Sequence, residues 1–503
     1  MSNYWKPILG IAAIVFAPVL APALLGGIGV AATAGAVAVA SAGIVLVGAS
    51  LVGSSTGDAM GSAVDQVSVE GYSGAKLQTT KSNTSPVPII YGEHKIGGNI
   101  IWQHTGAHKN SNNTTNGYNR DYWAIMILAD HEINSLQNVF SGETTMTGTS
   151  NQGFETEYVH VRYNAFSTSA RNVQNNIWIH DTNGSTCSGS DSDLSFSSAV
   201  IPANVAFLAI HQVFDGENTK NTGLEAITVK VQGKKIRTIT NATTISSSLT
   251  YSTNPAEILL DLLGTGLGVA DADIDIATFY AAKTAATAAG FTCHLALIQQ
   301  ANIQSIIADV LATCRGKIFH SESKWKFRID TKSQSVVDTL TSDDVMGNSL
   351  SMSMAGSNNI ANKMILKYIN PADEYLSAQV VKEDSTLQTY DGRVVTKTLD
   401  IKGINNATHA NKLCEIALNS LRYSEDASGN RVKQTPLAIS FATSVKNAHL
   451  EVGDVISLNH TLLDRVRQFL ILATATDQSG VIQISAREYC ETHFKNASAS
   501  YLI

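Results

Sequence analysis

Apolar and small residues fill the chain from residue 7 to residue 57, and no charged side chain follows Lys6 until Asp58. Alanine and glycine dominate this run, and Pro18, Pro22 and Gly26-Gly27 divide it into what would be two helices. Residues 58–84 are small and polar and read as a linker. From 85 to 245 the rhythm becomes short apolar runs between Gly/Asn turns, the pattern of strands. Between 246 and 330 apolar residues recur at helical spacing and lead into a hairpin. From 331 to 503 strand-like runs resume around one amphipathic helix. The predicted fold class is α+β and mostly β: several β-rich domains, a small helical middle and an N-terminal apolar helical segment.

Local signals give these blocks their punctuation. Pro86 and Pro88 forbid helix and force an extended entry into Ile89, Ile90 and Tyr91. Gly92 is a turn position, and Gly97-Gly98 a second bend or bulge. The polar stretch TGAHKNSNNTTNGYNRD (105–121) is expected to be an exposed loop, and 122–128 a buried strand. Ile133, Leu136 and Val139 begin another segment that ends at Ser141-Gly142. The clearest strands are 204–214 and 224–236. In the second, Ile227, Val229 and Val231 alternate with Thr228, Lys230 and Gln232, which predicts one wet face. Asn254 is a helix N-cap with Pro255 in the first turn. Ile258, Leu259, Leu262 and Leu263 share one face of that helix, and Gly264 is its expected stop. Further helices are expected over 275–289, 303–315 and 407–422. A hairpin is expected with arms at 317–320 and 325–329, and strands at 362–371, 437–443, 455–458 and 481–487. Gly453-Asp454 is a tight turn that delivers the strand after it.

Composition narrows the function classes. The 503-residue chain carries 15% charged residues and a net charge of −7. Phosphate backbones are gripped by clustered Lys and Arg, and the densest basic spot here is only Lys234, Lys235 and Arg237. The five cysteines (Cys187, Cys293, Cys314, Cys414, Cys490) are odd in number, far apart and form no CxxC pair. They signal neither a disulfide framework nor a zinc site, which fits synthesis in a reducing compartment.

Three readings compete for the N-terminal run. It is several times too long for a signal-peptide core. It is long enough for membrane helices, yet Tyr4 and Trp5 supply an aromatic belt at one end only. Its small residues at four-residue spacing (Ala32, Ala36 and Ala40) also suit helices packed closely against copies of themselves.

Candidate chemistry is sparse. His94, His104, His108 and His131 cluster loosely beside Glu132, and only His104 and His108 have i, i+4 spacing, in a loop. Solvated surface histidines are the expectation. His211 with Asp215 and Asp261 suggests no triad, and no serine sits in a GxSxG elbow. Glu132 and Glu143 form no distinctive carboxylate pair. GTGLG (264–268) follows a helix instead of leading into one from a strand, so it reads as a helix stop and not a phosphate loop. The sequence offers no catalytic residue, no cofactor site and no metal site.

Several segments, taken in order, resemble one family. NPAEILLDLLGTGLGV with IDIATFYAA, YWAIMILADHEINSLQNVFSGE, LEAITVKVQGKKI, NKMILKYINPADEY and LEVGDVISL with AREY are similar to the central tail-hub, or tip attachment, proteins of long-tailed bacteriophages, the lambda J-like type. SPVPIIYGEHKIGG after an apolar Ala/Gly-rich run looks like the end of the tail assembly protein I of the same phages. The resemblance implies tube-like hub domains in the two β-rich blocks. It implies a non-enzymatic homotrimer in the virion that closes the distal end of the tail tube and opens for genome ejection.

Implied partners are the distal tail protein ring, the tape-measure protein and separate fibre or receptor-binding proteins, with DNA only in transit and host membrane contact during ejection. The apolar side chains Ile8, Leu9, Ile14, Val15, Phe16, Leu20, Leu24, Leu25, Ile44, Leu46 and Leu51 would then form a plug or a membrane-inserting segment. Pro86, Pro88, Tyr91, Gly92, Gly97, Asn254, Pro255, Gly453 and Asp454 would be structural motifs of the hub. Two rivals are a membrane-anchored envelope protein and a hub that also hydrolyses peptidoglycan.

Overall fold

The computed structural model describes residues 86–109, 115–149, 204–214, 226–299, 301–332, 334–354, 360–477 and 479–495. It also describes short strand pieces at 46–47, 80–81, 153–155, 159–164, 171–172, 179–180, 186–187 and 200–201. Two sheets build the first β-rich block. In one, the strands Asn99–Lys109, Thr115–Ala129, Ala206–Phe214 and Val159–Asn164 lie side by side. The other contains Thr244–Tyr251, Ile227–Asn241 and Ile133–Ser141, with Glu93–Gly97 also paired to Ile227–Asn241. Residues 122–128 form the buried strand that their apolar run predicts, because both faces are covered. Ala124, Met126 and Leu128 join one core with Ile133, Val139, Val229 and Val231 of the second sheet. Trp123, Ile125 and Ile127 join another with Val205 and Phe207.

Two expectations fail in this block. Residues 105–109 and 115–121 are not open loop: Thr105 pairs with Tyr122, Gly106 with Asp121 and Ala107 with Arg120, so the strands extend over both pieces. Polar composition hides a strand whose side chains are Thr, His and Asn. Nor is the face bearing Thr228 wet. Thr228, paired between Gly97 and Phe140, is buried, and Lys230 is half-buried beside the turn containing Tyr375, which bonds Glu93, the partner of Lys230 at 2.9 Å.

Ile227–Asn241 runs on past its neighbours and folds back as Thr244–Tyr251, making a hairpin arm. Ile236 and Ile239 at its base are buried, while Asn241 and Ser246–Thr250 are solvent-facing or nearly so. The helical middle packs on that base. Asn254 caps the helix Pro255–Asp261, its side chain accepting from the Ala256 N–H at 3.0 Å. Ile258, Leu259, Leu262 and Leu263 are all buried as their spacing predicts. Gly264 does not stop the helix. The chain continues through a π-helical turn, Leu262–Gly266, and the left-handed residue is Gly268 at φ 71°. Val269 N–H closes that wide turn onto Leu263 C=O at 3.0 Å. Ile276–Ala289 starts on Asp275 and ends on left-handed Gly290, and Ile303–Cys314 starts on Asn302.

The cores do not follow chain order. The largest gathers Tyr91, the three middle helices, the hairpin Gly316–Ser321/Lys324–Ile329, and Met364, Leu366, Ile404, Ala410, Leu413 and Cys414 from further along. Met364 and Leu366 belong to the sheet Leu376–Glu383, Lys363–Asn370, Thr396–Asp400, Ala410, Leu413 and Cys414 to the helix Ala407–Arg422 that covers it, and Ile404 to the link between them. A separate core fills the C-terminal sheet, ordered Val336–Thr341, Val455–Asn459, Arg467–Thr476, Ile482–Glu488, Leu437–Thr443, Ser351–Met354. The strand Arg467–Thr476 and the short helix Ser385–Asp391 are absent from the sequence expectation.

Of the proposed plug residues, Ile8, Leu9, Ile14, Val15, Phe16, Leu20, Leu24, Leu25, Ile44 and Leu51 lie outside the described residues. Leu46 is extended, not helical: Leu46–Val47 pairs with Ile318 and Lys317. The run Ile44-Val45-Leu46-Val47 is β-branched enough to favour a strand. No helix among the described residues is long and apolar enough to cross a membrane.

Candidate functional site

The features that organise the molecule are two seams joining the β-rich blocks to the middle. The first is built around residues 88–98. Pro86 is exposed and Pro88 buried. Pro88 C=O accepts the Asp130 N–H at 3.2 Å, and Ile89–Tyr91 pairs antiparallel with Leu295–Leu297 of the middle. Gly92 then turns the chain at φ 73°, so that Glu93–Gly97 pairs with Ile227–Asn241 instead. Gly97 is the last residue of that pairing, opposite Thr228. One segment therefore stitches two sheets together. Glycine is required at the crossing. A Cβ on Gly92 would lie 2.6 Å from His294 Nδ1, and one on Gly233 would lie 2.1 Å from Ile90 C=O. Gly233 N–H donates to Gly92 C=O at 2.8 Å.

Polar groups complete this seam. The Tyr91 hydroxyl donates to Asp261 Oδ2 at 2.6 Å, and Lys234 pairs with the same oxygen at 2.6 Å. Lys235 pairs with Glu132 and Arg237 with Asp271, so the basic spot seen in the sequence is spent on internal partners. Burial is the main cause that raises the Tyr91 phenol well above its usual value, with Asp261 adding to it. On the far side Tyr375 donates to Glu93 Oε1 at 2.7 Å, and Lys95 pairs with Glu374. Burial opposes ionisation of Glu93, but the bonds from Tyr375 and Lys230 outweigh it and hold its carboxyl below the usual range.

The histidines overturn the surface reading. His94 and His131 are buried, as are His294 and His409. Three of the four bond backbone groups. His131 Nε2 accepts the Ile90 N–H at 2.9 Å, and its Nδ1–H donates to Glu132 C=O at 3.0 Å. His294 Nδ1 accepts the Glu93 N–H at 3.0 Å. His409 Nε2–H donates to Thr313 C=O at 2.7 Å while its ring stacks on Phe291. Burial pulls His94, His131 and His409 down to about 4 and His294 to about 3. The side chains of His104 and His108 lie outside the described residues. Helix-period and loop motifs give no signal for these buried rings, since their partners are backbone groups up to 201 residues away.

The second seam is ionic. Gly453, at φ 86°, and Asp454 turn the chain as their sequence predicts, and the turn docks on the hairpin Gly316–Ser321/Lys324–Ile329. Glu451 receives Lys326 Nζ and the Ser321 hydroxyl, each at 2.6 Å, and Arg328 at 2.9 Å. Arg328 also pairs with Asp454. The loop thus carries a partner set beyond the turn geometry that the sequence suggested.

Neither seam has the makings of an active site. No His/Cys/Asp/Glu group among the described residues could hold a metal ion. Burial pushes the Cys314, Cys414 and Cys490 thiols up to about 12 and Cys293 higher still, so these four stay protonated and inert. What the arrangement does is hold three cores in fixed register.

The comparisons bear on what such a frame serves. Residues 302–474, from the third helix into the C-terminal sheet, match the family model described as "Putative phage tail protein". The match supports a phage tail structural protein. The structure is also similar to a chain from the virion of a native gene transfer agent particle, with a TM-score of 0.57 and 13% identity over 90% of this chain and 94% of that chain. That likeness shows a shared fold. A prophage tail protein, gp18, from Listeria monocytogenes EGD-e aligns over 76% of this chain and 87% of its own at 8% identity, and its TM-score of 0.27 is too low to establish a common fold. No curated protein matches the sequence.

Proposed function

We propose that this chain is the central hub at the distal end of a phage tail: a non-enzymatic homotrimer that closes the tube and opens for genome ejection. The observation that carries the reading is the fold likeness to a virion chain across nearly the whole of both chains, joined to the tail-family match over 302–474. The C-terminal sheet adds physical support. Its two edge strands, Val336–Thr341 and Ser351–Met354, expose Val336, Val337, Met352 and Met354. Unprotected edges of that kind are templates for pairing with a neighbouring subunit. The net charge of −7 suits a passage that DNA crosses without being held.

In this reading the partners are the distal tail protein ring, the tape-measure protein and separate fibre proteins. The N-terminal run acts as a plug inside the trimer that is released toward the host membrane on ejection. The test is a deletion of residues 7–53. The purified deletion protein should have a solution mass three times that of one chain, and phage carrying it should fail in tail assembly or DNA delivery. A monomeric mass for the intact protein removes the hub. A trimer whose deletion leaves infectivity normal removes the plug and keeps the hub.

A further inference from the structure

The middle helix Ile303–Cys314 ends at Arg315, a left-handed residue at φ 57°, and delivers Arg315 and Lys317 into the interior. Both are buried, and they converge on one carboxylate, Asp330, at the end of the hairpin. Arg315 Nη2 lies 3.7 Å from Asp330 Oδ2, and Lys317 Nζ bonds Oδ1. Arg487, at the end of the strand Ile482–Glu488, adds a third positive charge to the field of the same aspartate.

Elsewhere among the described residues, buried charges are matched. Glu257 has Lys283, Arg422 has Asp391, Arg467 has Glu488 and Lys326 has Glu451. Here three cations share one anion. The Nε atoms of Arg315 and Arg487 are buried without a hydrogen-bond partner among the described residues. A buried charge without a partner is costly, and a buried donor left unpaired adds to that cost. His493 beside them brings no compensating charge, since its Nε2–H is committed to Tyr423 C=O at 2.7 Å. Burial is the main cause that lowers Arg315 to about 10 and lowers Lys317 and Arg487 as well, with Asp330 acting against it.

We propose that Arg315, Lys317 and Arg487, with Asp330 as their internal partner, form a binding site for a small tetrahedral oxyanion of the phosphate or sulfate class. The two free guanidinium Nε–H groups donate to it, and its charge offsets the surplus. Arg487 is the half-buried member of the set. The site joins the middle helix, the hairpin and the C-terminal sheet, so an ion held there ties the middle to that sheet.

The test follows thermal unfolding of the whole chain while chloride is replaced by inorganic phosphate at constant ionic strength and neutral pH. A specific site gives a saturable rise in Tm. By mass action, phosphate at a hundred times its Kd raises the folding constant about 100-fold. The general salting effect of phosphate grows without saturating, and should be all that remains in Arg487→Gln. Equilibrium dialysis of the wild-type chain against labelled phosphate gives a second reading, expected at one ion per chain, and does not depend on the variant folding. The proposal is overturned by an unsaturable Tm response in the wild type, by an equal saturable response in Arg487→Gln, or by no bound phosphate.

Discussion

The two seams solve the same mechanical problem with different chemistry. Around Gly92 and Gly233 backbone touches backbone, and His131 and His294 at the joint each accept a backbone N–H through a ring nitrogen. Around Glu451 and Asp454 the contact is between charged side chains, two of them lysine and arginine stems that can shift. The first joint is rigid, intolerant of added atoms and sensitive to protons. The second tolerates small displacements and is sensitive to salt.

Acid is expected to separate them most. A histidine whose folded pKa lies below its unfolded value binds more protons when unfolded, so its contribution is complete above the unfolded value and is lost as pH falls toward the folded one. For His94, His131 and His409 the window runs from about 6.5 down to about 4, and for His294 to about 3. Each loses about 1.4 kcal/mol per pH unit across its window. Together these losses rival a whole domain's stability of roughly 5–15 kcal/mol. Protonation also turns an accepting nitrogen toward the N–H groups of Ile90 and Glu93. Denaturant titrations across this range should show stability falling steeply below pH 6.5, and His294→Gln should flatten the slope by about one proton. A flat profile down to pH 4.5 would remove the proton-sensitive joint.

Next in size is the glycine crossing. Gly233→Ala forces a Cβ into the Ile90 carbonyl, where neither side is a flexible side chain. Overpacking against backbone should cost ~3 kcal/mol or more, read as a drop in unfolding midpoint with an unchanged m-value. A midpoint within error of the wild type would mean that the crossing can widen. The smallest effect belongs to the ionic joint. Glu451→Gln removes the negative charge shared by Lys326 and Arg328 and one of its two acceptor oxygens, but leaves Asp454 in place. It should cost about 1–2 kcal/mol. The wild-type advantage should shrink as salt rises, and a deficit independent of salt would count against an ionic joint.

Much of the fold could be read from the chain, and the reasons are local. The cap at Asn254-Pro255, the hairpin arms on either side of Ser323, the amphipathic helix Ala407–Arg422 and the turn at Gly453 all follow from spacing and turn chemistry. The strand pieces 105–109 and 115–121 could not be read, because their stability comes from partner strands and not from their own polar residues. Gly264 misled for a similar reason, since the packing of Leu262 and Leu263 carries the helix one wide turn further. Of the seams, sequence marked Tyr91, Gly92, Gly453 and Asp454 as structural. The histidines and Gly233 matter only through contacts that arise on folding, and no spacing rule points to them.

The antiparallel pairing of Ile89–Tyr91 with Leu295–Leu297 also sets a timetable for biosynthesis. Glu93 and His294, which bond across this junction, are 201 residues apart in the chain. At translation speeds of about 5–20 residues per second, the earlier strand emerges from the ribosome tens of seconds before its mate exists. Through that interval Ile89, Ile90 and Tyr91 stay open to chaperones and to mispairing, so the nascent chain is most vulnerable before its C-terminal half has been made.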